Sequence, residues 1–126
     1  MQTRDQKYAV AIFRQVREVA DSPEAAKRGK YGSMAHRLPI LIRTAGLAQA
    51  VSFVESRGDE AQKLLLRHLA AVVGVENLGE KSRTASLQEY IKLTQDVMDA
   101  LIWYKRFAES VLGVDASLDG EESVGE

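Results

Sequence analysis

Cysteine is absent from this 126-residue chain, which removes disulfides, thiolate nucleophiles and thiolate metal sites together. There are only two histidines, too few for a multi-histidine metal centre. His36 and His68 fall in different segments, and no Gly-x-Ser-x-Gly elbow or Gly-x-x-x-x-Gly-Lys-Ser/Thr phosphate loop accompanies either. The closest carboxylate groupings, Glu55 with Asp59 and Glu60, and Asp96 with Asp99, lack a histidine at metal-ligand spacing and read as surface charge. An enzyme, a cofactor, a metal and a small-molecule substrate are therefore not expected. Long apolar runs are missing too. The stretch 70–75 is far short of the ~18 residues a membrane span needs. The start, MQTRDQKYAV, holds no signal-peptide apolar block, so the expectation is a cytoplasmic protein with no membrane partner.

What is present suffices for one folded domain. The chain is 45% hydrophobic and 28% charged, enough for a core and a solvated surface. The net charge of −1 hides a split. Residues 1–112 hold all 17 Lys and Arg against 13 acids, or +4, and the first 43 residues alone are +5. The last fourteen, GVDASLDGEESVGE, hold five acids and no base. The domain is thus expected over 1–112. Residues 113–126 read as a disordered, solubilising acidic tail, the sharper alternative being a segment that competes with nucleic acid for the basic body.

Two prolines, nine glycines and a 3.6-residue apolar rhythm predict helices throughout. Thr3 with Gln6 forms a capping box, and Ala9, Ile12, Phe13, Val16 and Val19 then share one face of a first helix. Ser22-Pro23-Glu24 reads as a restart with Ser22 as cap and Pro23 at the first helical position. That second helix should be short, because Gly29 and Gly32 bracket Lys30 and Tyr31. A long central helix, apolar on nearly all sides, is expected within 33–57, starting or bending near Pro39. Gly46 inside it suggests a close-passing neighbour or a mild defect. Gly58 ends it, Asp59 with Gln62 caps a fourth helix to Gly74, and 75–86 reads as a polar loop. Ser86 with Glu89 opens a long C-terminal helix. The fold expected is all-α, a compact bundle of about five helices with long central and C-terminal members.

The basic residues are patterned. At 100° per residue, Lys7 and Arg14 lie within roughly 20° of each other on the first helix, with Arg4 and Arg17 about 60° to either side. Lys27, Arg28, Lys30, Arg37 and Arg43 follow before the chain turns mostly apolar. Cations held on helices can contact phosphates in register without reading bases, whereas the plain alternative for each is a solvated helix face. His36, among these cations, is a further candidate for a phosphate contact, and His68 reads as structural. Trp103, Tyr104 and Phe107 surround Lys105 and Arg106 in an interleaved basic–aromatic pattern, though their spacing favours core packing.

TRDQKYA near the start, KYGSMAHRLPILIRTAGLAQAVSFV in the middle and DALIWYKRFAESVLG near the end resemble the small subunit of type III-B CRISPR effector (Cmr) complexes. The most specific element is LPILIRTAGLAQA at 38–50, and the resemblance spans roughly 1–112. It implies a non-catalytic helical subunit that stacks in several copies beside the other subunits of such a complex and lines the channel of the guide–target RNA duplex. Base pairing would supply specificity there, so phosphate contacts suffice. The RNA-binding residues expected are Lys7, Arg14, Arg17, Lys27, Arg28, Lys30, Arg37 and Arg43. The competing expectation is a free-standing helical protein–protein adaptor with a basic docking face.

Overall fold

Three capping boxes set three helix starts. In the computed structural model, which describes residues 1–116, the Gln6 amide donates to Thr3 Oγ1 at 3.0 Å and the Thr3 amide to Gln6 Oε1 at 2.8 Å. This opens α1 (Arg4–Ala20). Asp59 and Gln62 do the same for α4 (Glu60–Val73), and Ser86 and Glu89 for α6 (Leu87–Ser110). The remaining helices are α2 (Ala25–Ala45), α3 (Leu47–Arg57) and α5 (Leu78–Thr84), giving six among the described residues. None of them is long and apolar enough to cross a membrane.

The all-α bundle matches expectation, but the middle of the chain divides differently. Glu24, not Ser22, is the N-cap of α2, and Ser22 Oγ instead accepts from the Glu24 amide at 3.3 Å. The helix then runs without interruption through Gly29, Gly32 and Pro39, so the short second helix expected there is part of a longer one. Burial explains this tolerance. Tyr31, Met34, Ala35, Leu38 and Ile42 are nearly fully enclosed, and their packing outweighs the local cost of glycine and proline. The break falls at Gly46, whose φ of +88° and ψ of 161° belong to a region essentially reserved for glycine. The Tyr90 hydroxyl accepts from the Ala48 amide at 3.0 Å and satisfies a donor in the first turn of α3. The stretch 75–86 is not a plain loop either. Asn77 caps α5 by accepting from the Glu80 amide at 2.8 Å.

α2 is the central rod, packed by α6, α4 and α3, while α1 lies across α6 and α4. Polar bonds stitch four of these helices together inside the core. Tyr104 donates to Gln15 Oε1 at 2.5 Å, Gln15 Nε2 donates to the His68 carbonyl at 3.1 Å, and Tyr31 OH lies 2.7 Å from His68 Nδ1. Burial, then the Arg67 and Lys27 charges, push the His68 pKa down to about 4. The ring is therefore neutral at pH 7 and shares one hydrogen bond with the Tyr31 hydroxyl. Of the segment 113–126, residues 117–126 lie outside the described residues. Gly113 turns with a φ of +71°, and Val114 lands on α2.

Candidate nucleic-acid interface

The eight predicted cations do not form one surface. Lys7, Arg14 and Arg17 stand together, all exposed, on the outer face of α1. Glu18 and Asp21 lie towards the C-terminal end of the same face. Arg4 does not join them. Its guanidinium donates to Asp96 at 3.1 Å and to Asp99 at 2.6 Å, and sits 4.8 Å from the centroid of the Tyr8 ring. The two carboxylates read from sequence as surface charge thus fasten α1 to α6.

Apolar side chains interrupt the α1 stripe. Phe13, expected in the core, is 45% exposed, and Val10 is 47% exposed. The cause is that α1 has neighbours on one side only, so a residue at the margin of its apolar face stays open. Phe13 meets Phe107 edge-on at 5.3 Å, Phe107 stacks on Trp103 at 5.6 Å, and Trp103 Nε1 donates to Asp5 at 3.0 Å. Of the aromatics around Lys105 and Arg106, Tyr104 is core, whereas Trp103 and Phe107 line this half-open seam.

Lys27, Lys30 and Arg37 fall within about 80° of one another on α2. Lys27 and Lys30 border a groove against α4, floored by Leu64 and also lined by Glu24, Glu60 and Arg67. Arg37 borders a second groove with Phe53 and Arg57. Arg57 and Arg67 were missed in the sequence. Only the packing of α3 and α4 on α2 brings them beside the predicted set, and no spacing within one helix signals that. Arg28 and Arg43 project from another side of α2, about 100–160° from Lys27. Arg28, half-buried, donates to the Ser22 carbonyl and holds the α1–α2 connection, and Arg43 is exposed in the last turn.

His36 is not a phosphate contact. It is only 4% exposed, and its Nε2 lies 2.9 Å from the Val114 carbonyl. The uninterrupted course of α2 is the reason, since it turns this position towards the end of α6. No group of three or more potential metal ligands occurs among the described residues. What the surface offers is cations held on rigid helices, next to exposed apolar and aromatic side chains.

Comparison with known proteins agrees with this architecture. The family model described as CRISPR-associated protein (Cas_Cmr5) matches residues 4–111. The chain is 44% identical over 115 residues to the CRISPR system Cmr subunit Cmr5 of Thermus thermophilus, covering 89% of this chain and 98% of that one. It is also similar to the X-ray crystal structure of a CRISPR-associated Cmr5 family protein from the same organism. There the TM-score is 0.80 at 45% identity, over 88% of this chain and 98% of that chain. A match over nearly the whole helical body, at this identity and in this fold, places the chain in the Cas_Cmr5 family of CRISPR-associated proteins.

Proposed function

We propose that this chain is a non-catalytic small subunit of a cytoplasmic Cmr-type effector complex that binds the phosphate backbone of the target strand or guide–target duplex. The observation that carries the reading is the outward stripe of Lys7, Arg14 and Arg17 on a helix otherwise anchored to α6 and α4. Such cations are placed to meet phosphates at helical intervals, and several copies acting together multiply a weak contact. Stacking needs two dissimilar faces per copy. A candidate for one of them, clear of the cationic stripe, is the solvent-facing run of Leu87, Ile91 and Ile102 along α6.

The test is a complex assembled with Lys7→Glu, Arg14→Glu and Arg17→Glu together. Target RNA affinity should drop, and the slope of log K against log salt should flatten by about 0.7–0.9 for each phosphate the variant no longer neutralises. Normal binding at every salt concentration refutes the stripe assignment. The exposed apolar faces also suit a protein–protein adaptor. Pull-down after nuclease treatment separates the two readings, because an adaptor retains its partners and an RNA-bridged protein loses them.

A further inference from the structure

The outer face of α1 is not purely cationic. At 100° per residue, Arg17, Val10, Arg14 and Lys7 fall within about 80° on the side away from the core, and Phe13 borders them about 40° from Arg17. Val10, Phe13, Arg14 and Arg17 line one shallow groove. Nearly half of each of its two apolar side chains is open to solvent. Lys7, Arg14 and Arg17 have no ion-pair partner among the described residues, and Glu18 and Asp21 adjoin them only towards the C-terminal end of the face. The open ring is also braced. Phe107 meets it with the two planes 75° apart, Trp103 stacks on Phe107 with planes 27° apart, and Asp5 accepts from the Trp103 indole at 3.0 Å.

From this arrangement we propose that the α1 face is a single-strand site, in which an unpaired RNA base stacks on Phe13 while Lys7, Arg14 and Arg17 hold the phosphates around it. The proposal rests on the RNA-binding reading above and narrows it from a strand or a duplex to a strand with a free base. A site for phosphates alone gains nothing from an open ring beside its cations. A protein partner covering Val10 and Phe13 would bury the neighbouring cations as well, and would have to bring an acid to each or leave a charge unpaired. A single strand answers both features at once, with phosphates for the cations and flat bases for the apolar groups. In a duplex the bases are stacked on one another, so only backbone contacts are on offer to this face. The bracing of the ring adds to the fit, because a side chain already fixed loses little freedom when a base lands on it.

The test sets a short oligouridylate against two ligands without a free base: an abasic ribose-phosphate strand of the same length, and an RNA duplex. Phe13→Leu in the full chain keeps an apolar side chain against Phe107 and removes the ring face. It should weaken oligouridylate binding about tenfold, by the same factor at every salt concentration, because stacking releases no counterions. The abasic strand and the duplex should bind this variant as they bind the unchanged chain, and Phe13→Tyr should keep full affinity for oligouridylate. Unaltered oligouridylate affinity in Phe13→Leu, or an equal loss on the abasic strand, overturns stacking and leaves the phosphate reading standing. Reduced self-association in sedimentation with RNA affinity unchanged gives the groove to a second copy and overturns the proposal. If the unchanged chain binds none of these ligands at low salt, stacking is overturned, while the triple charge reversal in the assembled complex still decides the phosphate reading.

Discussion

Alanine at Gly29 and alanine at Gly32 are the same substitution three residues apart in α2, yet they should change stability in opposite directions. Neither glycine has a positive φ, and each sits inside a continuous helix, so each replacement gains up to about 1 kcal/mol of helix propensity. At Gly29 a new Cβ meets nothing within 4 Å, and that gain stands. At Gly32 it meets three side-chain atoms of Val114 at 2.8, 2.9 and 3.1 Å, so the whole valine must leave. Its departure forfeits about 1 kcal/mol of apolar burial for a half-buried side chain. It also breaks the 2.9 Å His36–Val114 bond, and a buried ring left without partners costs about 1–2 kcal/mol. Gly32→Ala should therefore destabilise by about 1–2 kcal/mol, lowering the melting temperature by roughly 4–8 °C, while Gly29→Ala raises it. Urea denaturation at unchanged m-value is the assay. The decisive control is Gly32→Ala in a chain ending at Leu112, where no Val114 remains to be displaced and the substitution should become stabilising. If Gly32→Ala stabilises the full chain as Gly29→Ala does, Val114 is not held on α2 in solution.

Protonation of His68 gives a stability term with a defined window. Its pKa is depressed from an ordinary 6.5 to about 4, so the unfolded chain takes up the proton first as pH falls. The term is fully present above pH 6.5 and lost on descending to about 4. Discounted for a half-buried ring it amounts to about 1–2 kcal/mol, and His68→Asn should flatten the urea midpoint across that range. Leu101→Ala, deep in α6, should cost about 2–5 kcal/mol. Leu87→Ser with Ile91→Ser, on side chains 74% and 50% exposed, should leave stability within about 0.5 kcal/mol. That double variant should reduce self-association in sedimentation, and unchanged association would count against the α6 face as a stacking surface. Arg4→Gln and Lys7→Gln should separate two uses of charge on one helix. The first should cost at most about 1 kcal/mol of stability with little effect on RNA affinity, and the second should do the reverse.

Local chemistry was legible and cross-helix chemistry was not. Thr3 with Gln6, Asp59 with Gln62 and Ser86 with Glu89 announce helix starts because both halves of each capping box lie within four residues. Pro39 and Gly46 mislead for the opposite reason. Sequence rules charge proline its full penalty in a helix interior, and here the enclosure of Leu38 and Ile42 on either side outweighs it. Glycine at 46 reads as a close approach by a neighbour or a mild defect inside one helix; the close approach is there, with the Tyr90 hydroxyl 3.3 Å from where a Cβ would stand, but the φ of +88° shows that the glycine separates two helices. α5 escapes notice because seven residues are too few to display a period. The site follows the same division. The α1 stripe is a one-helix pattern and could be drawn on a wheel. The engagement of Arg4 by Asp96 and Asp99, 92 and 95 residues away, and the company of Arg57 and Arg67 beside Lys27 and Arg37, need the fold.

Perturbed protonation in this chain points to architecture. The groups displaced furthest are Tyr31 and Tyr104, raised by burial, and His68, lowered by burial. Each is bonded to another core residue rather than facing an open cleft. A shift that marks a reactive group in many proteins here marks the joints between α1, α2, α4 and α6. On the proposed RNA-binding reading, those joints fix where the charges of α1 and α2 stand. At 0.1 M salt the Debye length is about 10 Å, shorter than the roughly 24 Å between Lys27 and Arg43 along α2. A polyanion approaching one face therefore responds to that face and hardly to the net charge of −1.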